Sequence, residues 1–228
     1  MKMKKAERTP LYTALLLVIG LLSVFFLFKP ADPFSDPMKD GLIAYQKKDY
    51  KKALVHFKIA DNMKIHEASF ALGAMYYSGT GVDVDIPKAL SYYQKAAEGN
   101  YAPALTTLAI LTMNGKNVQK DPEKAVFLAE KAAEQNDVEA QILLAGWFEN
   151  GGLVEQDVPR AVRYYEAAAR NGNVDAKMAL SLIYKDGKGS VTANPYVSKR
   201  WTDSIQKQQK LKNLFSNRPA DYIENVSP

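Results

Sequence analysis

His56 and His66 are the only imidazoles in the 228-residue chain, and it contains no cysteine. Neither histidine has a partner at metal-ligand or catalytic-triad spacing, so both read as structural or surface residues, with no metal or cofactor expected. The lack of thiols excludes disulfide scaffolds, thiolate zinc sites, cysteine nucleophiles and lipid attachment through cysteine. The segment GTGVDVD, from Gly79 to Asp85, has the look of an acidic calcium loop. It lacks the longer alternating series of oxygen ligands and the closing glutamate that calcium needs, and turn glycines before a helix cap account for it. No phosphate-binding loop ending in Lys-Ser/Thr and no Gly-x-Ser-x-Gly elbow occurs. Glu149 and Glu155 fall where helix ends and loops are expected, and their spacing in sequence does not make them a glycosidase pair.

The elements that would position any site come from an internal repeat. Blocks of thirty-six residues starting at Ala68, Ala104, Ala140 and Ala176 align without gaps. Ala68, Leu72 and Tyr76 share one helical face, and Leu108, Leu144 and Leu180 repeat the leucine. The next column holds Gly73, Ala109, Ala145 and Ser181, small enough for a second helix to approach closely. Gly79, Gly115, Gly151 and Gly187 follow the periodic run, where a glycine can end a helix. A second helix then opens on Asp85, Asp121 and Asp157 as N-caps, with Pro87, Pro122, Pro159 and Pro195 in the first turn. It continues through Tyr93, Ala129, Tyr165 and Trp201 and closes on Ala96-Ala97, Ala132-Ala133 and Ala168-Ala169. Upstream, Gly41 to Ala60 reads as a shorter unit, its link from Tyr45 to Ala53 five residues shorter than that from Tyr76 to Ala89.

ALGAMYYSGTGVDVDIPKALSYYQKAAEGN resembles the Sel-one-like repeat, a relative of the tetratricopeptide repeat. Asn117 replaces the second glycine in the second unit, Leu153 in the third, and Ser204 and Ile205 replace the alanine pair in the fourth. The fold expected is all-α, a solenoid of antiparallel helix pairs over 38–206 preceded by one transmembrane helix. The resemblance implies a right-handed superhelix whose first helices line the concave side. It also implies protein binding. An adaptor or regulator is the leading reading, and an immunity protein neutralising a toxic effector such as a lipase is the alternative. A third, an enzyme acting on cell-envelope material, would require a pocket with a perturbed titratable pair.

Helical phase places a contact stripe two, six and nine residues after each unit's first alanine. In the first unit it comprises Phe70, Ala74 and Tyr77, and in the second Thr106, Ile110 and Met113. The third supplies Ile142, Gly146 and Glu149, and the fourth Met178, Leu182 and Lys185. An apolar stripe in a concave groove is a docking site for a partner segment. The competing reading packs the same side chains between adjacent first helices.

Leu11 to Phe28 runs for eighteen residues without a charge. At about 1.5 Å per residue this nearly crosses a hydrocarbon core of about 30 Å. Lys2, Lys4, Lys5 and Arg8 precede it and only Lys29 follows at once, which holds the N-terminus in the cytoplasm. The run ends in FFLF with no small-x-small cleavage site, so an uncleaved anchor within 1–29 is expected. A proline-rich linker over 30–37 follows, and 207–228 is expected to finish the last helix and fray. The basic leader accounts for most of the net charge of +5, and no basic stripe interleaved with aromatics follows, which argues against nucleic acid. No small-molecule substrate is expected. The resemblance and the anchor together imply a bacterial inner membrane, with the repeats and their protein partners in the periplasm; a eukaryotic secretory-pathway membrane would give the same topology.

Overall fold

The computed structural model describes residues 36–216, which form ten consecutive helices. They are α1 (Pro37–Gln46), α2 (Tyr50–Asn62), α3 (His66–Ser78), α4 (Ile86–Glu98) and α5 (Ala102–Asn114). Then come α6 (Pro122–Ala133), α7 (Val138–Asn150), α8 (Val158–Arg170), α9 (Val174–Asp186) and α10 (Pro195–Ser216). Each helix packs on its neighbours in the chain, most closely within the pairs α1·α2, α3·α4, α5·α6, α7·α8 and α9·α10. There is no strand among the described residues, only an isolated bridge between Lys188 and Val191. This is an all-helical solenoid.

The repeat columns carry the core. Leu72, Leu144 and Leu180 are fully buried and Leu108 is 7% exposed. The alanines at 96, 132 and 168 have no exposed surface, so the paired helices approach closely where the small residues recur. Asp85, Asp121 and Asp157 accept from the amides of Lys88, Lys124 and Arg160 at 3.0, 2.9 and 2.9 Å, as expected of N-caps. The first helices have caps of their own that the repeat columns did not suggest. Asp137 accepts from Ala140 N and Asn173 from Ala176 N, both at 2.8 Å.

The links between paired helices vary for local reasons. Gly79 and Gly115 end α3 and α5 in the left-handed conformation, with φ of 73° and 67°. Asn117, where the second glycine is missing, keeps that turn with φ of 62°, a conformation asparagine tolerates. The shorter upstream unit has its own geometry. A Cβ on Gly41 would lie 2.5 Å from the Phe57 ring, just as one on Gly73 would lie 2.7 Å from the Tyr93 ring. Gly41 therefore matches Gly73, and Tyr45 matches Tyr77 and not Tyr76. The contraction is four residues and not five, which agrees with links of 47–49 and 79–85 between the paired helices.

Units one and three share a layer that unit two lacks. Tyr76 stacks on Tyr92 with centroids 5.7 Å apart, and Lys88 Nζ lies 4.3 Å from the Tyr76 centroid. Seventy-two residues on, Phe148 stacks on Tyr164 at 6.1 Å with the Arg160 guanidinium 4.0 Å from the Phe148 centroid. The corresponding places in unit two are Thr112, Leu128 and Lys124. The last seam is polar: Ser181 Oγ lies 3.2 Å from Ser198 Oγ and 3.0 Å from Thr202 Oγ1. Among the described residues no helix is long and apolar enough to cross a membrane. The expected anchor over 11–28, linker residues 30–35 and the tail beyond 216 lie outside the described residues.

Candidate protein-binding groove

The stripe residues divide by unit according to what packs across from each one. In the first unit Phe70 sits 5.5 Å, centroid to centroid, from both Tyr93 and Tyr101. Tyr77 tilts toward Tyr93 at 6.2 Å, and with Ala74 these half-buried side chains pack on the cluster containing Leu105, Leu108 and Leu111. In the second unit Thr106 and Met113 are buried, at 1% and 3% exposure, and serve the core, so they present no contact surface. Ile110 stays half-buried and faces open space. In the third, Ile142 packs against the next seam, while a Cβ on Gly146 would meet nothing within 4 Å. In the fourth, Met178 and Leu182 are 50% and 58% exposed and Lys185 is exposed, because no further first helix follows α9 among the described residues.

Polar and aromatic partners exchange between the same columns. Phe70 and Tyr101 meet ring to ring in unit one. Thirty-six residues later, Thr106 Oγ1 donates to Asp137 Oδ1 at 3.0 Å. The stripe's second-unit residue is thus part of a buried polar seam that also caps α7. Glu149 is likewise engaged, accepting from the Tyr165 hydroxyl at 2.6 Å and from Lys188 Nζ at 2.8 Å. Burial, then the hydrogen bond and charge of Glu149, push the Tyr165 hydroxyl well above the ordinary phenol range.

Beside the stripe lies a groove of about 330 Å³ between α3 and α5, lined by Tyr77, Tyr93, Thr107, Ile110, Leu111, Asn114 and Lys116. Tyr93 is 5% exposed, and burial followed by the neighbouring Tyr77 raises its pKa to about 12. Its hydroxyl has no hydrogen-bond partner among the described residues, whereas Tyr77 Oη accepts from Asn117 Nδ2 at 3.4 Å. Lys116 Nζ stands 5.7 Å from the Tyr77 centroid. Of the stripe, the groove gathers Tyr77 and Ile110; the exposed Met178, Leu182 and Lys185 lie two units away on α9. The stripe missed Lys116 and Tyr93, which belong to a loop and to a second helix. Their signal is the seventy-two-residue shift that relates them to Lys188 and Tyr165.

The two histidines are apart. His56 is half-buried on α2, and His66 lays its ring over Gly99 with Nδ1 buried and without a partner. Among the described residues no three metal-ligating side chains gather. Second helices are tied by ions that the repeat columns did not reveal. Asp61, 7% exposed, accepts from Lys95 Nζ at 2.7 Å and Ser69 Oγ at 2.5 Å. Glu130 receives Arg160 and the Tyr164 hydroxyl, the latter at 2.8 Å.

The Sel1 repeat matches residues 39–60, 66–101, 102–137, 138–173 and 174–202, well over half of the chain. No match was found among curated proteins. Among solved structures, a Sel1 repeat protein from Oxalobacter formigenes is 25% identical with a TM-score of 0.66, over 89% of this chain and 83% of that one. A protective antigen of uropathogenic Escherichia coli displaying an SLR fold is 28% identical with a TM-score of 0.63, over 68% of this chain and 33% of that one. The chain thus spans about a third of the antigen's length. An immunity protein from Pseudomonas aeruginosa is 21% identical with a TM-score of 0.42, over 79% of this chain and 85% of that one. Five matched segments in the register of the helix pairs make the conclusion direct: the chain belongs to the Sel1 repeat family.

Proposed function

We propose that this chain is a membrane-anchored adaptor that holds a protein partner against its first helices on the periplasmic side of a bacterial inner membrane. Sel1 repeats are scaffolds for protein–protein interaction. The observation that carries the reading is the groove between α3 and α5, where Tyr77, Ile110 and Leu111 offer apolar surface beside the polar Asn114 and Lys116. A mixed lining of this kind suits a peptide segment, which brings apolar side chains and backbone polar groups together. The exposed Met178 and Leu182 on α9 extend the same columns of first-helix surface. The anchor rests on the uncharged run from Leu11 to Phe28 and on the basic residues before it.

Photocrosslinking in intact cells tests this. A photoreactive residue at Ile110 is expected to capture a discrete protein partner, while one at the exposed Phe127 on α6 captures none. Equal capture at both positions would remove the groove from the account. Protease added outside the inner membrane should digest the repeats; protection would reverse the topology. Capture of a toxin, together with survival of cells that express the chain, would replace the adaptor by an immunity protein.

A further inference from the structure

The repeat contains a filled copy and an unfilled copy of one polar arrangement. In the filled copy Glu149 lies between the Tyr165 hydroxyl, at 2.6 Å, and Lys188 Nζ, at 2.8 Å. Moving back seventy-two residues, two units of the repeat, takes Tyr165 to Tyr93, Lys188 to Lys116 and Glu149 to Tyr77. The stacked layers of Tyr76 with Tyr92 and Phe148 with Tyr164 obey the same shift, so the helical parts of the two copies correspond, while the turns that carry the lysines differ, Lys116 N donating to Leu111 O and Lys188 N to Val191 O. The unfilled copy therefore keeps the phenol and the ammonium and lacks the carboxylate. Tyr93 is 5% exposed, lines the groove and has no hydrogen-bond partner among the described residues. Lys116 lines the same groove, forms none of the salt bridges among the described residues and stands over the Tyr77 ring.

We infer that the groove between α3 and α5 is a carboxylate-recognition site, in which an aspartate or glutamate side chain of the partner takes the part that Glu149 plays two units later. Tyr93 donates from the floor, Lys116 supplies the positive charge from the rim, and Tyr77 contributes ring surface and a hydroxyl free to donate. Ile110 and Leu111 favour an apolar residue next to the acid. A carboxylate gains more from this pair than an amide does, because both donors strengthen toward a charged acceptor. The inference rests on the groove being the partner-binding surface proposed above.

The test applies the full chain in detergent to an array of short random-sequence peptides, with the best binders remade as glutamine or asparagine versions. The expected result is enrichment of an acidic residue beside an apolar one, and a loss of about tenfold or more when the acid becomes its amide. Lys116→Met and Tyr93→Phe should each reduce binding to the level of the amide peptides, whereas Lys131→Met on α6 should change nothing. Tyr77→Glu should fill the site from within and abolish preference for acidic peptides. Should Tyr93→Phe unfold, Lys116→Met, at an exposed position, still decides the matter. Peptides that bind at the groove without acidic preference would overturn this inference and leave the adaptor reading standing. Absence of any peptide binding that depends on Ile110 would overturn both.

Discussion

Replacing Asp137 by alanine should cost far more than replacing it by asparagine, and the structure gives the size of the gap. One carboxylate oxygen accepts from Ala140 N at 2.8 Å, capping α7, and from Thr106 Oγ1 at 3.0 Å. Loss of a helix cap costs about 1 kcal/mol. Leaving the hydroxyl of Thr106, 1% exposed, without an acceptor adds about 1–3 kcal/mol. Asp137→Ala should therefore destabilise by about 2–4 kcal/mol, and Asp137→Asn, which keeps an oxygen in place for both donors, by less than about 1 kcal/mol. Thr106→Val removes the hydroxyl along with its need for a partner and should be nearly neutral. In the Asp137→Ala background it should recover about 1–3 kcal/mol. Urea unfolding followed by far-ultraviolet circular dichroism measures the series. If asparagine proves as damaging as alanine, or valine at 106 rescues nothing, the assignment of this seam is wrong.

Leu144→Ala, at a fully buried position, should cost about 2–5 kcal/mol in the same assay, while Met178→Glu on the exposed face of α9 should stay within about 0.5 kcal/mol. Gly115→Ala should cost about 1–2 kcal/mol, since φ is 67° and the added Cβ would lie 2.9 Å from Lys120 Cβ. Alkali should unfold the protein in a set direction. The Tyr93 pKa is raised in the folded chain to about 12 from an ordinary value of 10.0, so its contribution is complete below pH 10 and is lost as pH rises through 12. Tyr93→Phe should therefore show a shallower fall in melting temperature over that range than the parent protein.

Much of the fold is legible in the amino-acid sequence because the repeat is enforced locally. Leucine at one helical phase recurs in all four full units, and alanine pairs and an aspartate before the second helix recur in the first three, at thirty-six-residue intervals and where those spacings place them; the last second helix opens one residue later, on Asn194. The stripe is harder to read, since helical phase states which side of a helix a residue occupies and not what lies across from it. Phase puts Thr106 and Phe70 in one class, yet one is closed off by a hydrogen bond to Asp137 and the other by two tyrosine rings. Glu149 and Lys188 are thirty-nine residues apart, and only the packing of successive units brings them together. The one-residue slip in the shorter upstream unit has a similar origin. An aromatic residue recurs at Tyr45, but the contact that sets the register is Gly41 against Phe57.

Amide hydrogen exchange of the full chain, alone and with its crosslinked partner, tests the groove most directly. Binding there predicts slowed exchange over residues 107–116, including the turn that carries Lys116, with α6 unchanged. Protection confined to the second helices, with 107–116 exchanging as in the free chain, would contradict it.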